Sequence, residues 1–512
     1  MMKQHQRLVL ILIVLLAVVA AACQPTATPT PTAAPTTAPT EAPTEVAAEP
    51  TEVPPTEEPT EVPATEVPPT EAPAEEATAE AEAVVTEEAA AEEAEATEEA
   101  AVEEAEATEE AVEVAAEPTA APEVAMGENV VTVAAGESVV VGLAAGLSGE
   151  GIAPLGIDIQ RGAEMALQDR PTVTVGGVEF TVALDAQDDL CSADGGQAVA
   201  NRAVSTEGIV GVVGPMCSSA CRAAAPIFDA AGYTTISPSC TAADLTTSGY
   251  SSFNRAVVSD AFQGVIAADY IYNELGARKL ATIHDGSPYG EGLVTVVAER
   301  FAELGGEVVA SDAVNVGDTD FRGLLEDIAQ AEPDLIYFGG FAAEAARLAM
   351  QRADTGLEDV EFMGADGIKG TEVISLGAGA VEGVYASAAM PASSDALTSF
   401  YDRYLEAYGE EPPAPYHANG YDGVNLFLDA VEAVGVVDED GNLQIDRDAL
   451  AAYIRSVSDF QGLTGVLNAD GTGEMSVADI GISQIVDGAF VDLAVGRIAD
   501  GEVVIAPVEA GE

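Results

Sequence analysis

Short apolar runs alternate with amphipathic stretches along the chain from about residue 137. The runs have the length and composition of buried strands, whereas the amphipathic stretches repeat their apolar positions at the spacing of a helix. The first series of elements comprises predicted strands at 138–143, 178–184, 209–213 and 234–236 and predicted helices at 156–167, 195–204 and 219–230.

The alternation restarts near residue 262. The second series comprises predicted helices at 262–274, 292–304, 321–329 and 344–355 and predicted strands at 280–284, 307–313 and 335–338. Regular alternation of this kind builds parallel sheets with helices on both faces. The two series therefore predict an α/β fold with two doubly wound parallel-sheet lobes. The C-terminal part adds predicted helices at 395–408 and 418–433 and a hairpin-like turn at 468–471.

The segment 23–125 has a different composition. After Cys23 it consists almost entirely of Pro, Thr, Glu, Ala and Val, and it contains no aromatic residue, Lys or Arg. Such a sequence cannot bury enough apolar surface to offset the entropy lost on ordering. We therefore expect a disordered linker, with a Pro/Thr-rich first part and an Ala/Glu-rich second part. A tether is the main interpretation and a partner-binding segment is the alternative.

The N-terminus has the pattern of a targeting segment. Lys3 and Arg7 precede an apolar run at 8–19, which is too short for a comfortable membrane span. Ala20 and two further alanines then lead to Cys23, a sequence that resembles a bacterial lipoprotein cleavage box. The resemblance implies a signal peptide at 1–22 and a lipid on Cys23. Ala20 stands where the box usually has Leu, and ordinary signal-peptide cleavage is the alternative.

Charge and histidine content exclude several classes of protein. The formal net charge is −70, with 88 acidic and 18 basic residues, which argues against nucleic acid or an anionic membrane surface as a partner. We expect contact with the membrane through the lipid anchor only. The chain contains only His5, His284 and His417, and it has no Walker A motif and no nucleophile elbow with suitable partners. We therefore expect no enzyme activity, no metal site and no cofactor.

Four cysteines remain after Cys23, namely Cys191, Cys217, Cys221 and Cys240. Exported thiols usually oxidise, so we expect two disulfides, for which the sequence leaves three pairings open. A zinc site is the competing interpretation, but the spacings are poor and no His lies nearby.

Small and polar residues follow the predicted strands. In open α/β sheets ligands bind beyond the carboxyl ends of the strands, so these segments predict a cleft between the lobes. The segment 214–220 also opens a helix, whose free amides attract an anion and predict a carboxylate site. An ordinary serine N-cap is the alternative. The segments are 146–151, 214–220, 237–241, 284–290, 339–341 and 364–367.

From about Val139 onward the chain resembles the leucine/isoleucine/valine-binding proteins, the periplasmic type I solute receptors of branched-chain amino-acid ABC transporters. The motifs that carry the resemblance occur in order and at family spacing. They are Leu147-Ser148-Gly149, Asp188-Asp189-Leu190-Cys191, Met216-Cys217-Ser218-Ser219, Ser237-Pro238 with Thr241, Asp244-Leu245-Thr246, His284-Asp285, Tyr289-Gly290-Glu291-Gly292, Gly339-Gly340-Phe341 and Phe362-Met363-Gly364.

The resemblance implies roles for individual residues. It implies a disulfide between Cys191 and Cys217, and with it one between Cys221 and Cys240. The ligand-binding residues that it implies are Ser218, Ser239 and Thr241 from the first lobe, Tyr289, Phe341 and Asp366 from the second, and Leu155 beside the ligand's side chain. Three positions depart from the family, because Phe341 and Leu155 replace Tyr and Asp366 replaces Glu. These departures leave the identity of the ligand open.

The resemblance also implies an organisation and a function. Lobe 1 is expected at 126–257 plus 388–464 and lobe 2 at 258–387 plus 465–512, with hinge crossings near 256–259, 384–390 and 461–467. The function implied is that of an extracytoplasmic solute-binding lipoprotein. It captures an amino acid, branched-chain or similar, and presents it to the membrane permease of an ABC importer. The alternatives are a ligand-sensing receptor domain of the same fold and a binder of another small solute such as an amide.

Overall fold

The computed structural model describes residues 126–475, 479–499 and 501–508. The predicted signal peptide at 1–22, the predicted lipidation of Cys23 and the predicted linker that follows lie outside these residues. In the part of the chain that is described, no helix has both the length and the apolar composition needed to cross a bilayer.

The first lobe contains a six-stranded sheet with the order β3-β4-β2-β5-β6-β7. All neighbouring strands are parallel except β3, which pairs with β4 in an antiparallel hairpin. The elements up to this point are β1 (Val130–Val133), β2 (Val139–Ala145), α1 (Ala153–Asp169), β3 (Thr172–Val175), β4 (Val178–Asp188), α2 (Ala193–Ser205), β5 (Ile209–Val213), α3 (Ser218–Ala230), β6 (Thr235–Ser237) and β7 (Phe253–Arg255).

Helices cover both faces of this sheet, as the alternation of elements predicted. Val199 in α2 and Phe228 in α3 are buried together on one face. Ile159 in α1 belongs to the larger core on the other face. A serine N-cap determines where α2 begins. The Ser192 hydroxyl accepts a hydrogen bond from the Gly195 amide at 3.1 Å.

The second lobe contains an eight-stranded sheet with the order β19-β18-β17-β12-β11-β10-β8-β9. Strands β8 to β12 are parallel, and β17 to β19 extend the sheet in antiparallel fashion. The elements are α4 (Asp260–Asp269), β8 (Lys279–His284), α5 (Pro288–Glu303), β9 (Glu307–Ala313), α6 (Arg322–Ala329), β10 (Leu335–Gly339), α7 (Ala342–Arg352), β11 (Glu361–Gly364), α8 (Thr371–Gly377) and β12 (Tyr385–Met390), and later β17 (Asp479–Val486), β18 (Ala489–Ala499) and β19 (Glu502–Pro507).

Between β12 and β17 the chain returns to the first lobe. The buried face of the longest returning helix packs against α1, and one returning strand pairs with β1. The returning elements are α9 (Asp395–Tyr408), α10 (His417–Val434), β13 (Val436–Val437), β14 (Leu443–Asp446), α11 (Arg447–Arg455), β15 (Phe460–Gln461) and β16 (Val466–Leu467). The hairpin-like turn predicted at 468–471 follows, and the Asp470 amide donates to the Glu474 carbonyl at 3.0 Å there.

The chain crosses between the lobes three times. The first crossing joins β7, which ends at Arg255, to α4, which begins at Asp260. Strand β12 belongs to the second sheet up to Met390, so the second crossing follows Met390. Leu467 and Met475 are buried in the first lobe's core, and β17, which begins at Asp479, belongs to the second sheet, so the returning segment stays with the first lobe at least to Met475. We therefore propose lobe boundaries a few residues later than 384–390 and 461–467.

A buried ion pair fastens the end of the returning segment to β7. The Arg255 guanidinium is fully buried, and it pairs with Glu474, whose side chain is 27% exposed. The same guanidinium donates to the carbonyl oxygens of Cys240 and Ala242 at 3.2 and 2.9 Å. The pair therefore joins three segments of the first lobe directly beside the hinge.

The substitution Glu474→Gln removes the countercharge of Arg255 and keeps the size of the side chain. We expect it to lower the free energy of unfolding by about 3 kcal/mol, because it leaves a buried charge without compensation. Urea denaturation followed by circular dichroism measures this change.

The matched control is Asp320→Asn. Asp320 pairs with Arg322 on the surface, where the two side chains are 69% and 53% exposed. An exposed pair contributes little, so we expect a change below about 0.5 kcal/mol. Equal losses in the two variants would contradict the role assigned to the buried pair.

Candidate functional site

A small cavity lies between the two lobes, beyond the carboxyl ends of their parallel strands. This is where the topology of open α/β sheets places ligands. Its lining comes from loops that follow β2, β5 and β6 in one lobe and β8, β10 and β11 in the other, and from the start of α10. The lining residues are Leu155, Met216, Cys217, Ser218, Ser239 and Tyr416 from the first lobe and Tyr289, Phe341 and Asp366 from the second.

The first lobe presents the start of α3 to this cavity. Cys217 occupies the N-cap position and makes no side-chain capping hydrogen bond, so the first amides of α3 have no side-chain acceptor at the cap. Ser218 follows, 2% exposed, and its hydroxyl accepts from the Ala242 amide at 3.2 Å. The hydroxyl proton of Ser218 and the helix amides can therefore bind an anionic group.

Two disulfides hold the loops that carry this half of the site. Cys191 is bonded to Cys217, which precedes Ser218, and Cys221 is bonded to Cys240, which lies between Ser239 and Thr241. These are the pairings that the family resemblance implied. The first covalent bond fixes the start of α3, and the second ties the loop after β6 to the same helix.

The second lobe presents the Asp366 carboxylate, which follows β11 at the start of a short 3₁₀ turn. One oxygen, Oδ1, accepts from Gln263 Nε2 at 2.8 Å and from the Tyr289 hydroxyl at 2.9 Å. The other, Oδ2, accepts from the hydroxyl of Tyr416, which comes from the first lobe. Hydrogen bonds from both lobes therefore converge on one carboxylate that is 4% exposed.

A second carboxylate, that of Asp260, lies close to Asp366. Asp260 is the first residue of α4, directly after the first hinge crossing, and it is 1% exposed. Its amide donates to the Thr241 carbonyl at 2.8 Å, whereas both of its carboxylate oxygens are buried without a hydrogen-bond donor. Two buried carboxylates close together favour a cationic group between or beside them.

Burial and charge both perturb this pair. Burial is the largest cause that raises the pKa of Asp260 well above its ordinary value, and repulsion by Asp366 adds to it. Burial also raises the pKa of Asp366, although the hydrogen bonds from Tyr416, Tyr289 and Gln263 act in the opposite direction. A ligand with an ammonium group would stabilise the ionised form of both side chains.

Aromatic rings form the remaining wall. The ring centroids of Tyr289 and Phe341 are 5.4 Å apart, and the Tyr289 hydroxyl also accepts from the Gly367 amide at 3.1 Å. Leu155 lies opposite, in the first turn of α1, and is 6% exposed. The cavity therefore has polar groups at the α3 start and at Asp366 and apolar surface between Leu155 and the rings.

The structure brings six of the seven predicted ligand-binding residues to this cavity. The exception is Thr241, which does not line it and instead lies beside Asp260, whose amide donates to the Thr241 carbonyl at 2.8 Å. Ser239 lines the cavity, but its hydroxyl donates to the Met216 carbonyl at 2.8 Å. The ligand-binding roles of all seven residues remain predictions.

Sequence reasoning missed Tyr416, Asp260 and Gln263. A signal existed for each, because Tyr416 lies two residues before the predicted helix at 418–433, and Asp260 lies two residues before the predicted helix at 262–274, in which Gln263 is the second residue. Polar residues at helix starts usually cap the helix. Only the fold shows that these two starts meet at the hinge.

The chain is similar to known proteins along most of its described length. The family model described as "Periplasmic binding protein" matches residues 138–489. The Leu/Ile/Val-binding protein homolog 1 of Brucella abortus is 30% identical over 337 residues, which cover 66% of this chain and 87% of that protein.

Solved structures show the same fold. The leucine-binding protein LivK of Thermotoga maritima superimposes with a TM-score of 0.63 and 28% identity, covering 70% of this chain and 98% of that one. The branched-chain amino-acid transporter substrate-binding protein LivJ of Streptococcus pneumoniae, solved in complex with isoleucine, has a TM-score of 0.60 and 25% identity. The alignment covers 70% of this chain and 100% of that one.

Replacing the second disulfide by Cys221→Ala with Cys240→Ala tests its role in holding the loop after β6. We expect the free energy of unfolding to fall by about 3 kcal/mol, because the bond closes a short loop in the unfolded chain. We also expect faster amide hydrogen exchange in the peptide 237–246. Exchange in the peptide 361–368 of the second lobe is the internal control. Equally faster exchange in both peptides, or unchanged exchange in both, would contradict a local role for this disulfide.

Proposed function

Because this chain belongs to the periplasmic binding protein family, a family of solute-binding proteins that act outside the cytoplasm, we propose that it captures an α-amino acid between its two lobes and delivers it to the permease of an ABC importer. The names of its relatives support a branched-chain amino acid or a similar one as the ligand.

The observation that carries this proposal is the opposite polarity of the two sides of the cavity. The start of α3 and Ser218 suit an α-carboxylate, since helix amides and a hydroxyl donate to anions. On the other side, Asp366 suits an α-ammonium group, since its carboxylate lines the cavity and a second buried carboxylate, that of Asp260, lies close behind it. A zwitterion of an α-amino acid carries both groups on one carbon.

The ligand's side chain would then lie against apolar surface. Leu155 and the ring of Phe341 supply apolar surface to the lining of the cavity. Burial of an aliphatic side chain there would contribute about 1.5–3 kcal/mol. Phe341 lacks the hydroxyl of the family's tyrosine at that position, which leaves this wall more apolar.

Closure of the lobes would couple to binding. The Tyr416–Asp366 hydrogen bond and the ion pair of Glu150 with Arg347 both join one lobe to the other. A ligand stabilises the closed arrangement through contacts that it lacks in the open one. The closed protein is the form that we propose the permease recognises. Lipidation at Cys23 and the acidic linker would keep the protein near the membrane.

A ligand screen on the purified protein tests the function. We expect leucine, isoleucine or another α-amino acid to raise the melting temperature in proportion to its concentration over its dissociation constant. In Asp366→Asn we expect the affinity to fall by about 1.5–3 kcal/mol, roughly 10- to 150-fold in Kd, because a charge-assisted hydrogen bond to the ammonium is lost. Isothermal titration calorimetry measures Kd for the wild type and for Asp366→Asn.

The control for this experiment is Asp492→Asn, a substitution in the second lobe, to which Asp366 also belongs. Asp492 pairs with Lys369 at 3.0 Å on the sheet surface and does not line the cavity. We expect its affinity to match that of the wild type. Unchanged affinity in Asp366→Asn would refute the role of Asp366, and no shift with any α-amino acid would refute the ligand class.

The carboxylate pair also predicts the pH dependence of binding. The pKa of Asp260 is raised in the free protein, so this side chain holds a proton to higher pH than an ordinary aspartate. An ammonium ligand favours the ionised form, so binding releases a proton and Kd increases as the pH falls through the raised pKa. Titrations at a series of pH values measure this slope. We expect Asp260→Asn to flatten it, and an equal slope in that variant would contradict the coupling.

A further inference from the structure

A second, smaller cavity adjoins the ligand cavity between the same two lobes. Leu155 lines both cavities. Phe341 and Asp366 line the first, and the residues that follow them, Ala342 and Gly367, line the second. The two cavities therefore lie side by side, with Leu155 at their common boundary.

The lining of this second cavity is apolar except at one residue. Glycine, proline, alanine, leucine and isoleucine supply the rest of the lining, and Glu372 is the one polar side chain among the residues that line it. Glu372 lies in the first turn of α8. Its Oε1 accepts from the Gly151 amide of the first lobe at 2.9 Å.

The other oxygen of Glu372, Oε2, is buried and accepts no hydrogen bond. A buried carboxylate oxygen without a donor is unfavourable. The position of Glu372 at the start of α8 is favourable for its charge, because the N-terminus of a helix carries partial positive charge. That position does not supply a donor to Oε2, so it leaves the unpaired oxygen unexplained.

The two lobes approach each other closely beside Glu372. Gly151 has φ +78°, and a Cβ there would lie 2.8 Å from the Ala343 amide nitrogen. Only a glycine lets the loop after β2 meet the start of α7 at this distance. The second cavity and the Glu372–Gly151 hydrogen bond therefore exist together, in the closed arrangement.

We infer that Glu372 determines specificity for an α-amino acid whose side chain ends in an N–H donor. This inference rests on the proposed function and deepens it. The α-ammonium and α-carboxylate occupy the first cavity, the side chain passes Leu155, and its terminal amide or ammonium donates to Glu372 Oε2. An aliphatic side chain of the same shape leaves that oxygen unpaired, so it stabilises the closed form less.

Isothermal titration with pairs of ligands of similar shape tests the inference. Leucine is compared with asparagine, and norleucine is compared with glutamine and with ornithine. We expect the wild type to bind at least one donor-bearing ligand about tenfold or more tightly than its aliphatic counterpart. Glutamine and ornithine distinguish a neutral amide from a cation as the donor.

The variant Glu372→Gln keeps an oxygen for the Gly151 amide and places an NH₂ group where Oε2 was. We expect it to abolish the preference for the donor-bearing ligand and to leave the affinity for its aliphatic counterpart within about twofold of the wild type. The ratio of the affinities for the donor-bearing and the aliphatic ligand is measured on one protein preparation, so a partly inactive sample does not affect this ratio.

The control variant is Glu150→Gln, which removes an ion pair between the lobes outside both cavities. We expect it to weaken all ligands by the same factor. If Glu372→Gln does the same, or if the wild type prefers leucine to every donor-bearing ligand, the inference is overturned and the proposed function stands. If the wild type binds no α-amino acid, the proposed function fails and the inference fails with it.

Discussion

The burial of one carboxylate, that of Asp366, constrains the arrangement of both lobes. A carboxylate that is withdrawn from water needs several donors, and here they come from α4, from α5 and from the start of α10. Two of these donors, Gln263 and Tyr289, belong to the second lobe, whereas Tyr416 belongs to the first. The group is fully hydrogen-bonded only when the lobes meet. The charge at the centre of the cleft and the closed geometry therefore depend on each other.

The two lobes contribute to the site in different ways. The first lobe is cross-linked by covalent bonds, because both disulfides lie within the segment from Cys191 to Cys240, which carries Ser218 and Ser239 to the cavity. The second lobe has no such bond among its described residues, and its half relies on hydrogen bonds to Asp366. A loop that disulfides already hold in place loses little conformational entropy when a ligand binds. Binding energy is therefore not spent on ordering it.

The sequence predicted the alternating core of the fold well, because buried strands and amphipathic helices leave strong periodic signals. It did not predict β17 to β19. Exposed residues such as Val491, Ile498 and Val504 blur the alternation between the two faces of these strands. The later crossing points were missed for a related reason. The small residues of β12 resemble a loop in sequence, although they pair along their whole length with β17.

Within the site, the strand ends were predictable because topology alone determines where they meet. Tyr416 and Asp260 were not, since their positions depend on how the returning segment and the first crossing pack, which no local pattern encodes. The resemblance to a known family supplied the identity of Ser218, Tyr289 and Asp366 as site residues. It could not supply Glu372, whose unpaired oxygen is visible only when both lobes are in place.

The three crossings also determine the order in which the protein can be completed during synthesis. The first sheet is made early, but α10, which covers one of its faces, spans His417–Val434 and emerges only after β8 to β12. A nascent chain that ends before α10 leaves β3 and β5 without this cover. The second sheet likewise waits for β17, which pairs with β12. Neither lobe can reach its final form on the ribosome until nearly the whole chain has been translated.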